Sequence, residues 1–219
     1  LIIERGADWF REVGTVSCPG TKLYCLSGRL NRTGLVELPM GTTLREIIDV
    51  YGQGIPAGRA FKFAQVGGSS GGILAADLLD LPLDIDTPMK QVVSLGSGVV
   101  LVCDDTTCPV DFLLQILSFF EHESCGQCVP CRVGTAHLHH HARRLAERQA
   151  TPEELDQLVD KATLMKKASF CALGQSPVLP IVTLLKAFRG EFEDHCRPGH
   201  ACPACDRSLA AYYRPGRHH

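Results

Sequence analysis

The chain has 219 residues, of which 45% are hydrophobic and 21% charged, so its composition is that of a globular protein and excludes wholesale disorder. The 22 Lys and Arg against 24 Asp and Glu leave a net charge of −2, which gives no reason to expect a nucleic-acid partner or an anionic membrane surface. The 11 cysteines, without a signal-peptide layout at the N-terminus, favour metal or redox chemistry in a reducing compartment over a disulfide framework.

The first half of the sequence predicts a small α+β unit. The chain begins at Leu1 rather than Met, so we expect a fragment or a processed product, with residues 1–20 as a remnant or linker. Residues 21–105 predict two or three strands around one helix. The segments KLYCLSG, FKFAQV and VVLVCD are strand-like, a short strand in LNRTGLVELP ends at Pro39, and LREIIDVYG is helical. The run GGSSGG at 67–72 predicts a tight structural turn rather than a phosphate cradle.

The second half is predicted to be helical. Residues 106–194 contain four amphipathic segments, which are expected to form a four-helix bundle: one after Pro109, one from Val133 to Gln149, one capped by Thr151, and one over 180–192. The run HLHHH at 137–141 is predicted to be a solvated helix face, since successive helical side chains point about 100° apart and cannot converge on a metal. Residues 195–219 form a Cys- and His-rich tail with little apolar periodicity.

The segment ESCGQCVPCR carries the strongest chemical signal. It places Cys125, Cys128 and Cys131 in a C-x2-C-x2-C run, which can supply three of the four thiolates of a [4Fe–4S] cluster. Cys171 in SFCALG is the candidate for the fourth ligand, and Arg132 adds a permanent positive charge beside the loop. Two alternatives stay open: a structural zinc site, which usually pairs two C-x2-C knuckles, and scattered buried cysteines.

The segments ESCGQCVPCRVGT and ASFCALGQSPVLP, followed by a Phe-Arg-x-Glu helix, resemble the NADH-binding flavoprotein subunit of respiratory complex I. That family includes subunits of NAD-reducing and electron-bifurcating hydrogenases and of NAD-dependent formate dehydrogenases. The stretch GTKLYCLSGRLNRTGLVELPMGTTLREII is similar to the family's soluble-ligand-binding β-grasp module. The resemblance implies an α+β fold, with a β-grasp domain at 21–105 followed by a four-helix bundle. It also implies a [4Fe–4S] cluster with the ligands Cys125, Cys128, Cys131 and Cys171.

By the same resemblance, the chain is the electron-transfer part of an NADH dehydrogenase-type oxidoreductase. Its implied partners are other subunits of the complex, including a thioredoxin-like iron–sulfur subunit, and its implied place is cytoplasmic and peripheral to a membrane complex, without membrane insertion. The family binds FMN and NAD(H) with a loop of the type GRGGAGFPTG, which this sequence lacks. We therefore expect a missing domain or a partner chain to hold the flavin. A non-catalytic binding or assembly module stabilised by metal, and a truncated gene product, are the alternatives.

The tail segment DHCRPGHACPACDRSL contains a second group of metal-binding side chains. A His with a C-x2-C knuckle is a typical zinc donor set. The candidate ligands of a second metal, zinc by this interpretation, are His195, His200, Cys202 and Cys205. The alternative is a flexible tail with unligated thiols. Cys103 and Cys108, which flank DDTT, are predicted to be structural.

Overall fold

The computed structural model describes residues 1–85 and 94–212. The chain divides into two compact units, Leu1–Thr106 and Thr107–His219. Two short helices open the first unit, α1 (Ile2–Arg5) and α2 (Ala7–Arg11). Among the described residues of the chain, no helix is both long and apolar enough to cross a lipid bilayer.

The first unit is built on a mixed five-stranded sheet. Its strands are β1 (Thr21–Gly28), β2 (Gly34–Pro39), β3 (Phe61–Val66), β4 (Gly72–Ala75) and β5 (Val99–Asp104). They lie in the order β2-β1-β5-β3-β4, in which β1 and β5 are parallel and all other neighbours antiparallel. The sheet therefore has more strands than the two or three that the sequence predicted.

The core of this unit follows the alternation of side chains along the strands. In β1, Tyr24 and Leu26 are buried whereas Leu23 is 59% exposed, because successive residues point to opposite faces. One helical segment, α3 (Leu44–Glu46), continues into a π-helical turn and packs Leu44 into the same core. A capping box between Thr43 and Glu46 fixes the start of α3.

The glycine-rich run at 67–72 joins β3 to β4 as a tight turn, as predicted. The Gln65 side chain donates hydrogen bonds to the carbonyls of Ser69 and Gly71, at 3.2 and 3.3 Å. A Cβ on Gly71 would lie 1.8 Å from the Val66 carbonyl oxygen, so the turn has no room for a larger residue.

The second unit is helical. Its helices are α4 (Pro109–His122), α5 (Val129–Ala146), α6 (Pro152–Ala168), α7 (Ala172–Gln175), α8 (Val178–His195) and α9 (Pro203–Tyr212). The four long helices form a bundle in which α4 and α6 each pack against both α5 and α8. The predicted fold class, a small α+β unit followed by a four-helix bundle, is confirmed. Helix α9 was not predicted, and α5 begins four residues earlier than expected because Cys128 is its N-cap residue.

The prediction of a solvated histidine face on α5 is wrong for two of its residues. His139 is 6% exposed and pairs with Glu121 of α4, and His141 is 9% exposed and lies 3.7 Å from Glu154 of α6. Burial, and then the neighbouring Lys161 charge, lower the pKa of His141. The neighbouring carboxylates lower the cost of burying these imidazoles. Helix α5 is therefore covered by α4 at His139 and by α6 at His141.

The packing of the bundle predicts that two leucines contribute very differently to the free energy of unfolding. Leu113 of α4 is fully buried and Leu164 of α6 is 65% exposed. Leu113→Ala should lower the free energy of unfolding by about 2–5 kcal/mol, because it removes packed methyl groups and leaves a cavity. Leu164→Ala is the matched control and should change it by less than about 0.5 kcal/mol. Equal effects of the two variants in chemical denaturation would contradict the packing described here.

Candidate metal centres

The C-x2-C-x2-C run forms a loop that leads into α5, which we call the cluster loop (residues 124–132). Cys125 is exposed in the loop, Cys128 is the N-cap residue of α5, and Cys131 lies in its first turn. Gly126 has a φ of +75°, a left-handed conformation that favours glycine. The Arg132 guanidinium donates a 2.9 Å hydrogen bond to the Gly126 carbonyl, which fixes the loop on the helix.

The segment with Cys171 packs against the start of α5. Cys171 is the N-cap residue of α7. The backbone amide of Phe170, and then that of Cys131, lower the pKa of the Cys128 thiol, so Phe170 lies beside Cys128. A Cβ on Gly174 would lie 2.9 Å from the Cys131 Cβ. The structure therefore brings the two cysteine segments together.

These four cysteines fit a [4Fe–4S] cluster better than a single ion. Cys128 and Cys131 are buried, at 9% and 4% exposure, whereas Cys125 and Cys171 are exposed. A four-iron cube needs one thiolate at each iron, so its ligands are farther apart than those of one ion. Among the described residues, the group whose ligand atoms lie within 4.8 Å of one another is a different one. The N-terminus of α5 also favours the ionised form of Cys128.

The second group of ligands, which we call the Cys3His site, consists of Cys108, His195, Cys202 and Cys205. All four residues are buried. The Cys108 sulfur lies 3.5 Å from His195 Nε2 and 3.8 Å from the Cys205 sulfur, and Cys205 lies 3.6 Å from the same nitrogen. The residues come from the N-cap of α4, the last position of α8 and the start of α9.

The imidazole of His195 is held in one orientation. Its Nδ1 lies 2.7 Å from the Glu191 carbonyl oxygen, which can only accept, so Nδ1 carries the proton and Nε2 faces the three sulfurs. Burial by itself lowers the pKa of His195, but hydrogen bonds to Cys108 and to Glu191 raise it to about 9. The thiol of Cys205, and then His195, lower the pKa of the Cys108 thiol.

The structure differs from the sequence-based ligand set at one position. His200 is not a member of the Cys3His site; its ring centroid lies 4.5 Å from that of His195. Cys108, predicted to be only structural, is a member. The signal that could have suggested it is the Cys-Pro pair that starts a helix, which Cys108–Pro109 shares with Cys202–Pro203.

Comparison with known families agrees with an iron–sulfur site at the cluster loop and Cys171, which we call the first site. The sequence profile of the NADH-ubiquinone oxidoreductase-F iron-sulfur binding region matches residues 111–195, a range that contains all four cysteines of the cluster loop and the α7 turn. This part of the chain is therefore the family's iron–sulfur binding region. The chain as a whole is similar to the C-terminal region of the F-type subunits.

Relatives in the F family match almost the whole chain. It is 39% identical over 207 residues to NADP-reducing hydrogenase subunit HndC of Solidesulfovibrio fructosivorans, covering 93% of this chain and 42% of that one. It is 41% identical over 202 residues to the F-type subunit of NADH-quinone oxidoreductase from Mycobacterium tuberculosis, covering 92% and 45%. The chain thus spans less than half the length of these relatives.

A solved structure agrees with the fold. The crystal structure of an NAD+-reducing [NiFe]-hydrogenase in the air-oxidized state superposes with a TM-score of 0.80 at 34% sequence identity. The match covers 96% of this chain and 36% of that chain. The likeness to the F family therefore includes residues of both units.

The contact at Gly174 predicts that a single methyl group will disturb the first site. Gly174→Ala should place its Cβ 2.5 Å from the Ser169 hydroxyl and 2.9 Å from the Cys131 Cβ, so the turn with Cys171 must shift. We expect clearly lower iron incorporation on reconstitution and a loss of about 1–3 kcal/mol of stability from overpacking.

The matched control is Gly190→Ala on α8, where a Cβ would meet nothing within 4 Å. Because alanine is the better helix former, this variant should be as stable as the parent or more so, with unchanged iron content. Normal iron content in Gly174→Ala would contradict the close packing of α7 on α5.

Proposed function

We propose that the second unit binds a [4Fe–4S] cluster through Cys125, Cys128, Cys131 and Cys171. In this proposal it relays electrons between a flavin and the next carrier of an NADH-linked oxidoreductase complex. The observation that carries the proposal is the packing of the Cys171 turn against the first turn of α5, seen at Phe170 and Gly174. When bound, such a cluster supplies a one-electron carrier.

On the buried side of the proposed cluster site, two of the ligand cysteines are packed where water has little access. Cys128 and Cys131 are packed at the start of α5, and the Ser124 hydroxyl lies 3.4 Å from the Cys131 sulfur. Arg132 keeps a permanent positive charge on the cluster loop through its bond to Gly126. A positive charge stabilises the more negative, reduced form of an acceptor held there, so it should raise the reduction potential.

On the open side, exposed apolar side chains flank the cluster cysteines in the sequence. Phe170, next to Cys171, is 81% exposed, and Val129 and Val133, one turn apart at the start of α5, are 59% and 43% exposed. Large apolar side chains exposed together are typical of contact surfaces. We infer that an electron donor or acceptor docks here, where an approach to Cys125 and Cys171 is not blocked by protein.

The substrates and partners proposed for this chain are inferred only from its relatives. The names of those relatives include reduction of NADP, oxidation of NADH with quinone, and reduction of NAD+. We propose NAD(H) and FMN as the substrate and flavin of the complex, held outside the part of the chain that the structure describes. We propose an iron–sulfur subunit with a thioredoxin-like fold as a partner, in a cytoplasmic complex peripheral to a membrane.

Anaerobic reconstitution with iron and sulfide tests the cluster. We expect about four irons and four sulfides per chain and, after dithionite reduction, the EPR signal of a reduced [4Fe–4S] cluster. Cys128→Ala should abolish the signal, because it removes a buried ligand. Cys25→Ala, a half-buried cysteine of β1, is the control and should keep the full iron content.

Two results would overturn this proposal. One is an iron content that Cys128→Ala leaves unchanged. The other is protein that takes up zinc at these four cysteines and no iron, which would favour a binding or assembly module with a structural metal. Zinc at these positions is recognised by its loss in Cys128→Ala.

A further inference from the structure

We propose that the Cys3His site binds one structural Zn²⁺ ion, separate from the iron–sulfur cluster, and that Arg148 positions the loop that carries two of its ligands. The ion would join Cys108 at the start of α4, His195 at the end of α8, and Cys202 and Cys205 around the start of α9. The site would thereby hold the tail on the bundle.

The spacing of the ligand atoms matches a tetrahedral zinc site. With Zn–S near 2.3 Å and Zn–N near 2.0–2.1 Å, tetrahedral angles put two sulfurs about 3.8 Å apart and a sulfur and a nitrogen about 3.6 Å apart. The structure has 3.8 Å between the sulfurs of Cys108 and Cys205. It has 3.5 and 3.6 Å from these sulfurs to His195 Nε2. The ligand atoms are therefore already arranged around one point.

The donor chemistry favours zinc in a closed, structural role. Three cysteines and one histidine form one of the standard structural zinc sets, and all four are buried, so no position is left open for a substrate. The Glu191 carbonyl accepts the Nδ1 proton of His195, and such partners commonly orient the imidazole of a zinc ligand. A four-iron cube does not fit within ligand atoms that all lie within 4.8 Å of one another.

Arg148 is placed to organise the ligand loop. It has a φ of +60°, a left-handed conformation that a non-glycine residue adopts at some energetic cost. Its guanidinium donates hydrogen bonds to the carbonyls of His200 and Cys202, at 2.9 and 3.3 Å, and pairs with Asp206 at 2.8 Å. Arg148 thus ties the segment before α9 and the first turn of α9 to the end of α5.

A bound ion would stabilise the tail segment, which has little apolar packing of its own. The residues between α8 and α9 include Arg197, Pro198, Gly199 and His200, which offer little hydrophobic surface. Metal binding stabilises a fold by the affinity of the folded chain for the ion. Because its ligands lie up to 97 positions apart, from Cys108 to Cys205, one ion would close a loop around the whole bundle.

Metal counting on the full protein tests the proposal. Zinc and iron are measured by plasma mass spectrometry after dialysis against a weak chelator. We expect about one zinc per chain, a loss of at least tenfold in Cys108→Ser and in Cys205→Ser, and iron content unchanged. Zinc retained in Cys108→Ser, or iron as the metal at this site, would overturn the assignment.

Two neighbouring residues provide matched controls. His200→Gln changes the histidine closest in sequence to the knuckle, and Cys196→Ser changes a cysteine of the same segment outside the site. Both should keep the zinc. Zinc lost from His200→Gln and kept in Cys108→Ser would show that the ligand set is the wrong one.

Zinc X-ray absorption on the unmodified protein covers the case in which the ligand variants fail to fold. We expect about three sulfur neighbours near 2.3 Å and one nitrogen near 2.0–2.1 Å. Coordination by oxygen and nitrogen alone would overturn the proposal. So would zinc-free protein with a Cys108–Cys205 disulfide in its mass spectrum. If zinc also occupied the four cysteines proposed for the iron–sulfur cluster, the zinc content would rise to about two per chain. Cys128→Ala would then remove that second ion and leave the zinc of the Cys3His site in place, so the two proposals fail distinguishably.

The role of Arg148 has its own test. Arg148→Gln should lower zinc affinity by about 10–100-fold without removing any ligand, and Arg148→Lys should restore part of it. The absorption spectrum should still show three sulfurs and one nitrogen once zinc is saturating. Zinc affinity equal to the parent in Arg148→Gln would show that the arginine does not position the site.

Discussion

The two metal sites proposed for this chain depend on cysteines at the starts of helices. Cys108, Cys128 and Cys171 are the N-cap residues of α4, α5 and α7, each with extended backbone angles. At the long helices α4 and α5 the amides of the first turn, which have no partner within the helix ladder, favour a thiolate over a thiol. The packing of the bundle decides where these helix starts lie relative to one another, and thereby where the sulfurs meet.

The two groups of cysteines differ in their exposure to solvent. The cluster loop and the α7 turn leave Cys125 and Cys171 exposed beside apolar side chains, which suits a redox centre that must exchange electrons with a neighbour. The Cys3His site consists of four buried residues, which suits a metal that only holds chain segments together. The difference in exposure, more than the ligand types, separates the two proposed roles.

Local signals in the sequence predicted much of the bundle. The Thr151 capping box and the proline that follows it fix the start of α6, because the residues concerned lie within one turn. The same reasoning failed for α5, whose His139 and His141 were expected on a solvated face. Glu121 of α4 and Glu154 of α6 cover them, and pairing between helices cannot be read from the composition of one helix. The strand β4 was missed for a similar reason, since its four residues form a strand by pairing with β3.

The sequence by itself indicated the resemblance to the F-type subunits and the four cysteines proposed for the cluster, because three of them lie within seven consecutive residues, where spacing alone limits the geometry. It also identified the tail as rich in zinc ligands. Only the tertiary structure decided which of those ligands meet: it replaced His200 with Cys108, which lies 87 positions before His195. Contacts at such separation arise when whole helices pack, and the physical information that selects them is spread over the bundle core rather than contained in a motif.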